Sequence, residues 1–146
     1  TTMWERWDGY THDKGFANRA LSFNHYAYGA IGQWMYERIA GIAPLESGYK
    51  KILFAPLPHQ SLSAVAADYE SNYGKIKSKW KFKGNDFIYN IVVPPNTTAK
   101  VVLPKFNNMP DISMNGKKID VTIKNEKVNI DNLQSGAYEF IYKNTH

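Results

Sequence analysis

Between residues 75 and 83 every second residue is a lysine, and this alternation restricts the fold more than any other feature of the chain. Ile76, Ser78, Trp80 and Phe82 occupy the positions between the lysines. A period of two predicts a strand with one face in solvent and one face in a core. Gly84-Asn85-Asp86 follows at once and separates this strand from the apolar run 87–93, which predicts a β-hairpin.

The chain after Gly48 continues in short segments of this kind, separated by Gly, Pro and Asn. Such spacing predicts an antiparallel β-sandwich over residues 49–146. The aromatic residues of this part alternate as core residues should, so we expect them to pack inside the sandwich. The predicted strands are 49–54, 62–69, 75–82, 87–93, 99–103, 111–114, 118–123, 127–130 and 137–142.

Residues 1–48 have a different pattern. Ser22 is a candidate N-cap, an apolar run follows to Ala40, and Gly41 is a candidate C-terminal stop, so we predict a helix over 23–40. This helix would be apolar over most of its circumference, which is typical of a helix buried among others. Since 48 residues cannot supply such surroundings, the segment is interpreted as part of a larger helical domain.

The net charge of the chain also differs before and after Gly48. Residues 1–48 contain four Lys/Arg and five Asp/Glu, whereas residues 49–146 contain fourteen and eight, so the second part accounts for the net charge of +5. A row of lysines also suits phosphate binding, but no aromatic platform or nucleic-acid motif accompanies it, and we expect no nucleic-acid partner. The chain has no cysteine, and no apolar run has the length of a membrane span. These observations leave the cellular location undetermined.

Trp4-Glu5-Arg6-Trp7-Asp8 places carboxylates and an arginine beside two indoles. Flat aromatic faces stack on the C–H face of a sugar ring, while a few polar groups fix its orientation, so this composition suits a sugar pocket. Packing of the two indoles in a core, with the charges in solvent, explains the same composition. His25 is likewise either a ligand-binding residue or a core histidine bonded to a backbone carbonyl.

The chain contains several separated blocks of distinctive sequence. They are Met3-Trp4-Glu5-Arg6-Trp7-Asp8-Gly9, Ser22-Phe23-Asn24-His25-Tyr26-Ala27-Tyr28-Gly29-Ala30, Gly48-Tyr49-Lys50-Lys51-Ile52-Leu53-Phe54-Ala55-Pro56, Tyr69-Glu70-Ser71-Asn72-Tyr73-Gly74 and Val93-Pro94-Pro95-Asn96-Thr97-Thr98-Ala99. In this order, these blocks resemble the C-terminal end of the bacterial α-L-rhamnosidases of glycoside hydrolase family 78. Residues 105–146 resemble that family only in general character.

The resemblance implies a fold and a division of the chain. Residues 1–48 would be the C-terminal fragment of a helical catalytic domain, an (α/α)6 barrel, and residues 49–146 a C-terminal β-sandwich domain. The rest of that barrel would be the partner of this chain. The parent would be an inverting glycosidase that releases terminal α-L-rhamnose from a glycoside or polysaccharide without a metal or other cofactor.

The resemblance also implies roles for three residues. Glu5 matches the family's general base, His25 matches a histidine that contacts the bound rhamnose, and Trp7 is expected to form a wall of the same pocket. The general acid lies on an earlier segment that this chain does not match, so the chain alone should be inactive. The alternative is a carbohydrate-binding β-sandwich module without catalytic activity, which needs exposed coplanar aromatic side chains.

Overall fold

The computed structural model describes residues 2–17, 22–106 and 110–143. The chain forms two compact units, residues 1–34 and residues 35–146. The first unit contains a short hairpin of β1 (Tyr10–Thr11) and β2 (Gly15–Phe16), followed by a 3-10 helix (Tyr26–Gly29) and α1 (Ala30–Trp34). No helix among the described residues is long and apolar enough to cross a membrane.

The second unit begins with a π-helical segment, Met35–Ala40, and is otherwise a β-sandwich with a 3-10 turn at Ser47–Tyr49. Among the described residues, one sheet has the strand order β10-β9-β13-β7-β6-β5 and the other has the order β11-β12-β8-β4-β3. The strands are β3 (Ile42–Pro44), β4 (Lys51–Phe54), β5 (Ala64–Ser71), β6 (Gly74–Lys83), β7 (Asp86–Val93), β8 (Thr98–Pro104), β9 (Asp111–Met114), β10 (Lys117–Lys118), β11 (Thr122–Lys124), β12 (Lys127–Leu133) and β13 (Gly136–Lys143).

The structure confirms the predicted β-sandwich and the hairpin of β6 and β7, in which Lys83 pairs with Asp86. One pair of neighbouring strands departs from the antiparallel prediction, because β4 and β8 run parallel. Strands β5 to β7 lie between them in the chain and belong to the other sheet. The long crossover returns β8 beside β4 in the same direction, which a short turn cannot do.

Side chains from both sheets form one core. Trp80, Tyr89, Tyr142, Phe87 and Phe140 have no exposed surface, and Phe82 and Tyr138 pack against the same core. The prediction that the aromatic residues of the sandwich are core residues is therefore confirmed. On β6 the lysines are exposed while Ile76, Ser78 and Trp80 are buried, as the alternation predicted.

The π-helical segment is fixed to this core by hydrogen bonds to its last carbonyl groups. Trp80 Nε1 donates to the carbonyl oxygen of Ile39 at 2.8 Å, and Ser78 Oγ donates to that of Ala40 at 2.5 Å. The hydroxyl groups of Ser78 and Tyr89 lie 3.0 Å apart and are both buried. Buried polar groups are costly unless they are paired, so this network holds the segment in one position.

The helix predicted over 23–40 differs from the structure at its start. Helical structure begins at Tyr26 and passes through 3-10, α and π segments before it ends at Ala40. Ser22 is not the N-cap, because helical structure begins only at Tyr26. The Ser22 Oγ accepts a hydrogen bond from the Asn24 N–H at 3.2 Å, and the Ser22 N–H donates to Glu5. The predicted stop is confirmed, since Gly41 follows the last helical residue with a φ of +80°.

Tyr89 should make stability depend on pH at the alkaline end. Burial raises the pKa of Tyr89 above its ordinary value of 10.0, and the hydrogen bond with Ser78 opposes this only in part. Above pH 10 the unfolded chain would release the Tyr89 proton while the folded chain keeps it, so stability is lost as pH rises. We expect Tyr89→Phe to remove this contribution, which is about 1.4 kcal/mol per pH unit, in urea unfolding measured from pH 8 to 11.

At neutral pH the same substitution should cost about 1 kcal/mol, since it removes one buried hydrogen bond. The free energies of unfolding of the two proteins should therefore converge as pH rises above 10. Tyr26→Phe is the matched control, because the Tyr26 side chain is 84% exposed. Parallel pH profiles for the parent chain and Tyr89→Phe would show that Tyr89 ionises alike in both states.

Candidate active site

Glu5 is held against Ser22 by two hydrogen bonds across seventeen residues. The Glu5 N–H donates to the Ser22 carbonyl oxygen at 2.8 Å, and the Ser22 N–H donates to Glu5 Oε2 at 3.1 Å. The carboxylate thus takes the place that a backbone carbonyl would have in a strand pair. A side chain fixed by a backbone donor has little rotational freedom, which suits a residue that must present its carboxylate in one direction.

A second contact joins the same two stretches of chain. The His25 N–H donates to the carbonyl oxygen of Met3 at 2.7 Å. His25 is half-buried and directly precedes the 3-10 helix that begins at Tyr26. The structure therefore brings together the segments that carry Glu5 and His25, although twenty residues separate them in the sequence.

Arg6 and Asp8 form a two-point ion pair on the surface of this unit. Arg6 Nε donates to Asp8 Oδ1 at 2.8 Å, and Arg6 Nη2 donates to Asp8 Oδ2 at 2.5 Å. The hydrogen bonds from Arg6 lower the pKa of Asp8. A carboxylate held in this way is a poor candidate for a second acid or base.

The two indoles of this stretch have different surroundings. Trp7 lies in a turn closed by a hydrogen bond from the Gly9 N–H to the Arg6 carbonyl oxygen at 3.2 Å, and its side chain is 75% exposed. Trp4 packs edge-on against Phe23 with ring centroids 4.7 Å apart. The Trp7 side chain is thus mostly exposed, whereas Trp4 has a packing role.

Aromatic residues that the sequence interpretation did not single out extend the Trp4 cluster. Phe16 lies 5.8 Å from Phe23 and 5.0 Å from Tyr10, measured between ring centroids. With Trp4 these rings line an apolar depression of about 380 Å³. The hairpin of β1 and β2 positions Tyr10 and Phe16, and Gly15 has a φ of +69° in it. Gly9 and Gly15 around a short polar run were the available signal for this hairpin.

The described part of the first unit has few groups for acid–base chemistry. Its carboxylates are Glu5, Asp8 and Asp13, and Asp13 lies exposed in the turn between β1 and β2. Among the described residues no group of three or more His, Cys, Asp or Glu side chains could hold a metal ion. One positioned carboxylate can accept a proton from water or a hydroxyl group, which is the function of a general base.

Two family models match adjoining parts of the chain. Residues 41–116 match the bacterial alpha-L-rhamnosidase C-terminal domain, and residues 1–39 match the bacterial alpha-L-rhamnosidase 6 hairpin glycosidase domain. The models meet close to Ala40, the residue at which the helical segment ends.

Relatives and solved structures agree with this assignment. An alpha-L-rhamnosidase of Formosa agariphila is 47% identical over 96% of this chain and 16% of its own length. A crystal structure of Streptomyces avermitilis alpha-L-rhamnosidase complexed with L-rhamnose has a TM-score of 0.82 and 36% identity, over 97% of this chain and 14% of that one. Native rhamnosidase from Aspergillus terreus has a TM-score of 0.69 and 34% identity, over 100% of this chain and 15% of that one.

The chain thus spans about a sixth of the length of these relatives. The C-terminal domain model alone covers more than half of the chain, and it includes the sandwich strands from β3 to β9. The resemblance found in the sequence is confirmed: the chain belongs to the bacterial alpha-L-rhamnosidase family and corresponds to the C-terminal region of its members.

Proposed function

We propose that this chain is the C-terminal part of an inverting glycoside hydrolase that releases terminal α-L-rhamnose, and that it supplies the general base of the reaction. The observation that carries the proposal is the fixed carboxylate of Glu5, which the Ser22 N–H holds at 3.1 Å beside the segment of His25. The family match to the glycosidase domain over residues 1–39 supports it.

Glu5 would remove a proton from the water that attacks the anomeric carbon. Inverting glycosidases place their two carboxyl groups roughly 6.5 to 9.5 Å apart, so that this water fits between the base and the sugar. The base must keep one orientation while the water and the sugar change position. Its hydrogen bond to a backbone N–H contributes to that orientation.

His25 and Trp7 would hold the rhamnose. The ring of His25 can donate and accept hydrogen bonds to sugar hydroxyl groups, and the exposed indole of Trp7 offers a flat face for the C–H side of the ring. Because these contacts also form in the ground state, they should affect substrate binding as well as the chemical step.

The rest of the barrel would supply the general acid and cover the helical surface of this chain. In the first unit the side chains of Ile31 and Trp34 are 55% and 47% exposed, and in the second unit Met35 is 53% exposed. Large apolar side chains on a helix are usually buried against other helices. We infer that the preceding helices of the catalytic domain pack on these residues in the full-length protein.

The boundary between the helical piece and the sandwich remains a prediction, which places it near Gly48. A fragment of residues 49–146 should fold cooperatively, because the predicted strands close within it. A fragment of residues 35–146 should be more stable by about 1.5 to 3 kcal/mol, the value of burying one Ile side chain, since Ile42 is 1% exposed in β3. Urea unfolding compares the two fragments. A random-coil circular dichroism spectrum for residues 49–146 would move the boundary towards the N-terminus.

The 146-residue chain alone should not hydrolyse an aryl α-L-rhamnoside. It would have a general base but no general acid, and the pocket would lack the walls that the rest of the barrel provides. The measurement is the release of 4-nitrophenol from 4-nitrophenyl α-L-rhamnoside at micromolar protein, with a buffer blank and the Glu5→Gln chain as controls. Turnover above both controls that depends on Glu5 would show that the chain contains a complete site.

A further inference from the structure

The solvent face of the six-stranded sheet has an arrangement that the hydrolase proposal does not use. The exposed lysines of β6 lie on this face, and Lys79 pairs in register with Ala66 on β5 and with Asn90 on β7. At the end of the row Lys75 forms an ion pair with Glu70 at 3.0 Å. Lys79, by contrast, has neutral residues opposite it on both neighbouring strands.

A depression of about 330 Å³ lies on this face beside Lys77 and Lys79. It crosses β6, β7 and β13. The register of these strands places Lys77, Val92 and Ala137 in one row. Val92 and Ala137 therefore form an aliphatic part of the floor between the lysines and the far rim. This volume is comparable with that of small ligand sites in proteins, which begin at about 300 Å³.

The far rim is formed where β9 turns away from β13. Glu139 on β13 and Asn115 in the turn exchange two hydrogen bonds, from the Asn115 N–H to the Glu139 carbonyl oxygen at 2.9 Å and from the Glu139 N–H to Asn115 Oδ1 at 2.8 Å. Asn115 has a φ of +50°, which suits this turn. The rim is thus held by the backbone, and the Glu139 side chain stays exposed beside the depression.

The charges of the depression are separated across its width. Lys79, Asn90 and Glu139 form one row over three adjacent strands. Two strand spacings separate Lys79 from Glu139, about 9.5 Å between backbones. One edge of a ligand would meet ammonium groups, the middle an amide and aliphatic carbon, and the opposite edge a carboxylate that accepts hydrogen bonds from hydroxyl groups.

We propose that this groove, formed by β6, β7 and β13, binds a sugar residue that carries a carboxylate, a hexuronate within an oligosaccharide. The ligand carboxylate would accept charge-assisted hydrogen bonds from Lys77 and Lys79, and its hydroxyl groups would meet Asn90 and Glu139. The aliphatic floor faces the C–H side of the ring. The carboxylate of Glu139 beside the lysines disfavours a phosphate polymer, which needs cations throughout its binding surface.

The test is a ¹⁵N NMR titration of the 146-residue chain with trigalacturonate, with its fully methyl-esterified form as the neutral ligand. We expect saturable amide shifts confined to the neighbours of Lys79, Asn90 and Glu139, and at least a tenfold weaker Kd for the methyl ester. Raising the salt concentration from 50 to 300 mM should weaken binding of the acid but not of the ester.

The variant Lys77→Gln/Lys79→Gln should weaken trigalacturonate binding at least tenfold. The matched control is Lys117→Gln/Lys124→Gln, which removes the same charge from exposed lysines outside the groove and should change Kd less than twofold. Equal affinity for acid and ester, an equal effect of the two double variants, or tighter binding of a thymidine oligonucleotide of the same charge would overturn the proposal.

Discussion

Glu5→Gln in the full-length protein should lower kcat for rhamnoside hydrolysis by a factor of about 10² to 10⁴ while KM changes only a few-fold. The amide keeps the shape of the side chain and can still accept the hydrogen bond from the Ser22 N–H. It cannot remove a proton from water, so the loss falls on the chemical step. Steady-state kinetics with an aryl α-L-rhamnoside measure both constants.

Two further variants separate this effect from a general disturbance. Glu46→Gln changes an exposed glutamate of the sandwich unit and should leave both constants unchanged. His25→Ala should raise KM as well as lower kcat, because a residue that holds the sugar acts before the transition state. If Glu5→Gln keeps more than about a third of the parent kcat, Glu5 has a structural role and the base lies elsewhere.

Gly41→Ala should destabilise the sandwich unit by about 3 kcal/mol, the upper value for losing the burial of one Ile side chain, because the segment that carries Ile42 would be displaced. Gly41 has a φ of +80°, and a Cβ atom there would lie 2.2 Å from the backbone nitrogen of Pro56. The Gly41 carbonyl oxygen also accepts the Ala55 N–H at 2.9 Å, so the two chain segments cannot separate without loss of this bond. Urea unfolding of the 146-residue chain measures the change.

Gly116→Ala is the matched control. Gly116 has a φ of +78°, but a Cβ atom there would meet nothing within 4 Å. The loss of unfolding free energy in Gly116→Ala therefore measures the backbone strain alone, about 1 to 2 kcal/mol. The difference between the two variants is the steric cost of the contact with Pro56. Equal destabilisation by both substitutions would show that the segment around Pro56 moves aside.

The sandwich was predictable because its strands have one solvent-exposed face and one buried face. On β6 the lysines and the residues between them separate into an exposed and a buried set, and Gly84-Asn85 lies where β6 turns into β7. A period of two is a local property, so one strand suffices to show it. The predicted strand over 118–123 is instead two short strands, Lys117–Lys118 and Thr122–Lys124.

The pairing of distant segments was not predictable in the same way. Strand β3 has three residues and ends in Pro44, and it forms only because Ile42 pairs with Phe54 and is buried in the core. The parallel pair of β4 and β8 depends on a crossover of more than forty residues. Periodicity shows which face of a strand is buried, but it does not show which strand lies beside it.

The same distinction between local pattern and distant contact applies to the candidate site. The residue types of Glu5, Trp7 and His25 were visible in the sequence, and the family resemblance supplied their expected roles. The bond from the Ser22 N–H to the Glu5 carboxylate was not visible, because Ser22 has the composition of a helix N-cap and a carboxylate seventeen residues away is not a local partner.

Azide rescue of Glu5→Gln tests the central claim most directly. Azide needs no general base, so in the full-length variant it should attack the anomeric carbon of 4-nitrophenyl α-L-rhamnoside from the face that water would use. The C–O bond to 4-nitrophenolate then breaks as the C–N bond forms. We expect azide to restore 4-nitrophenol release at least tenfold and to yield β-L-rhamnosyl azide, identified by NMR. No rescue, or an azide product of α configuration, would contradict the assignment of Glu5 as the base of an inverting enzyme.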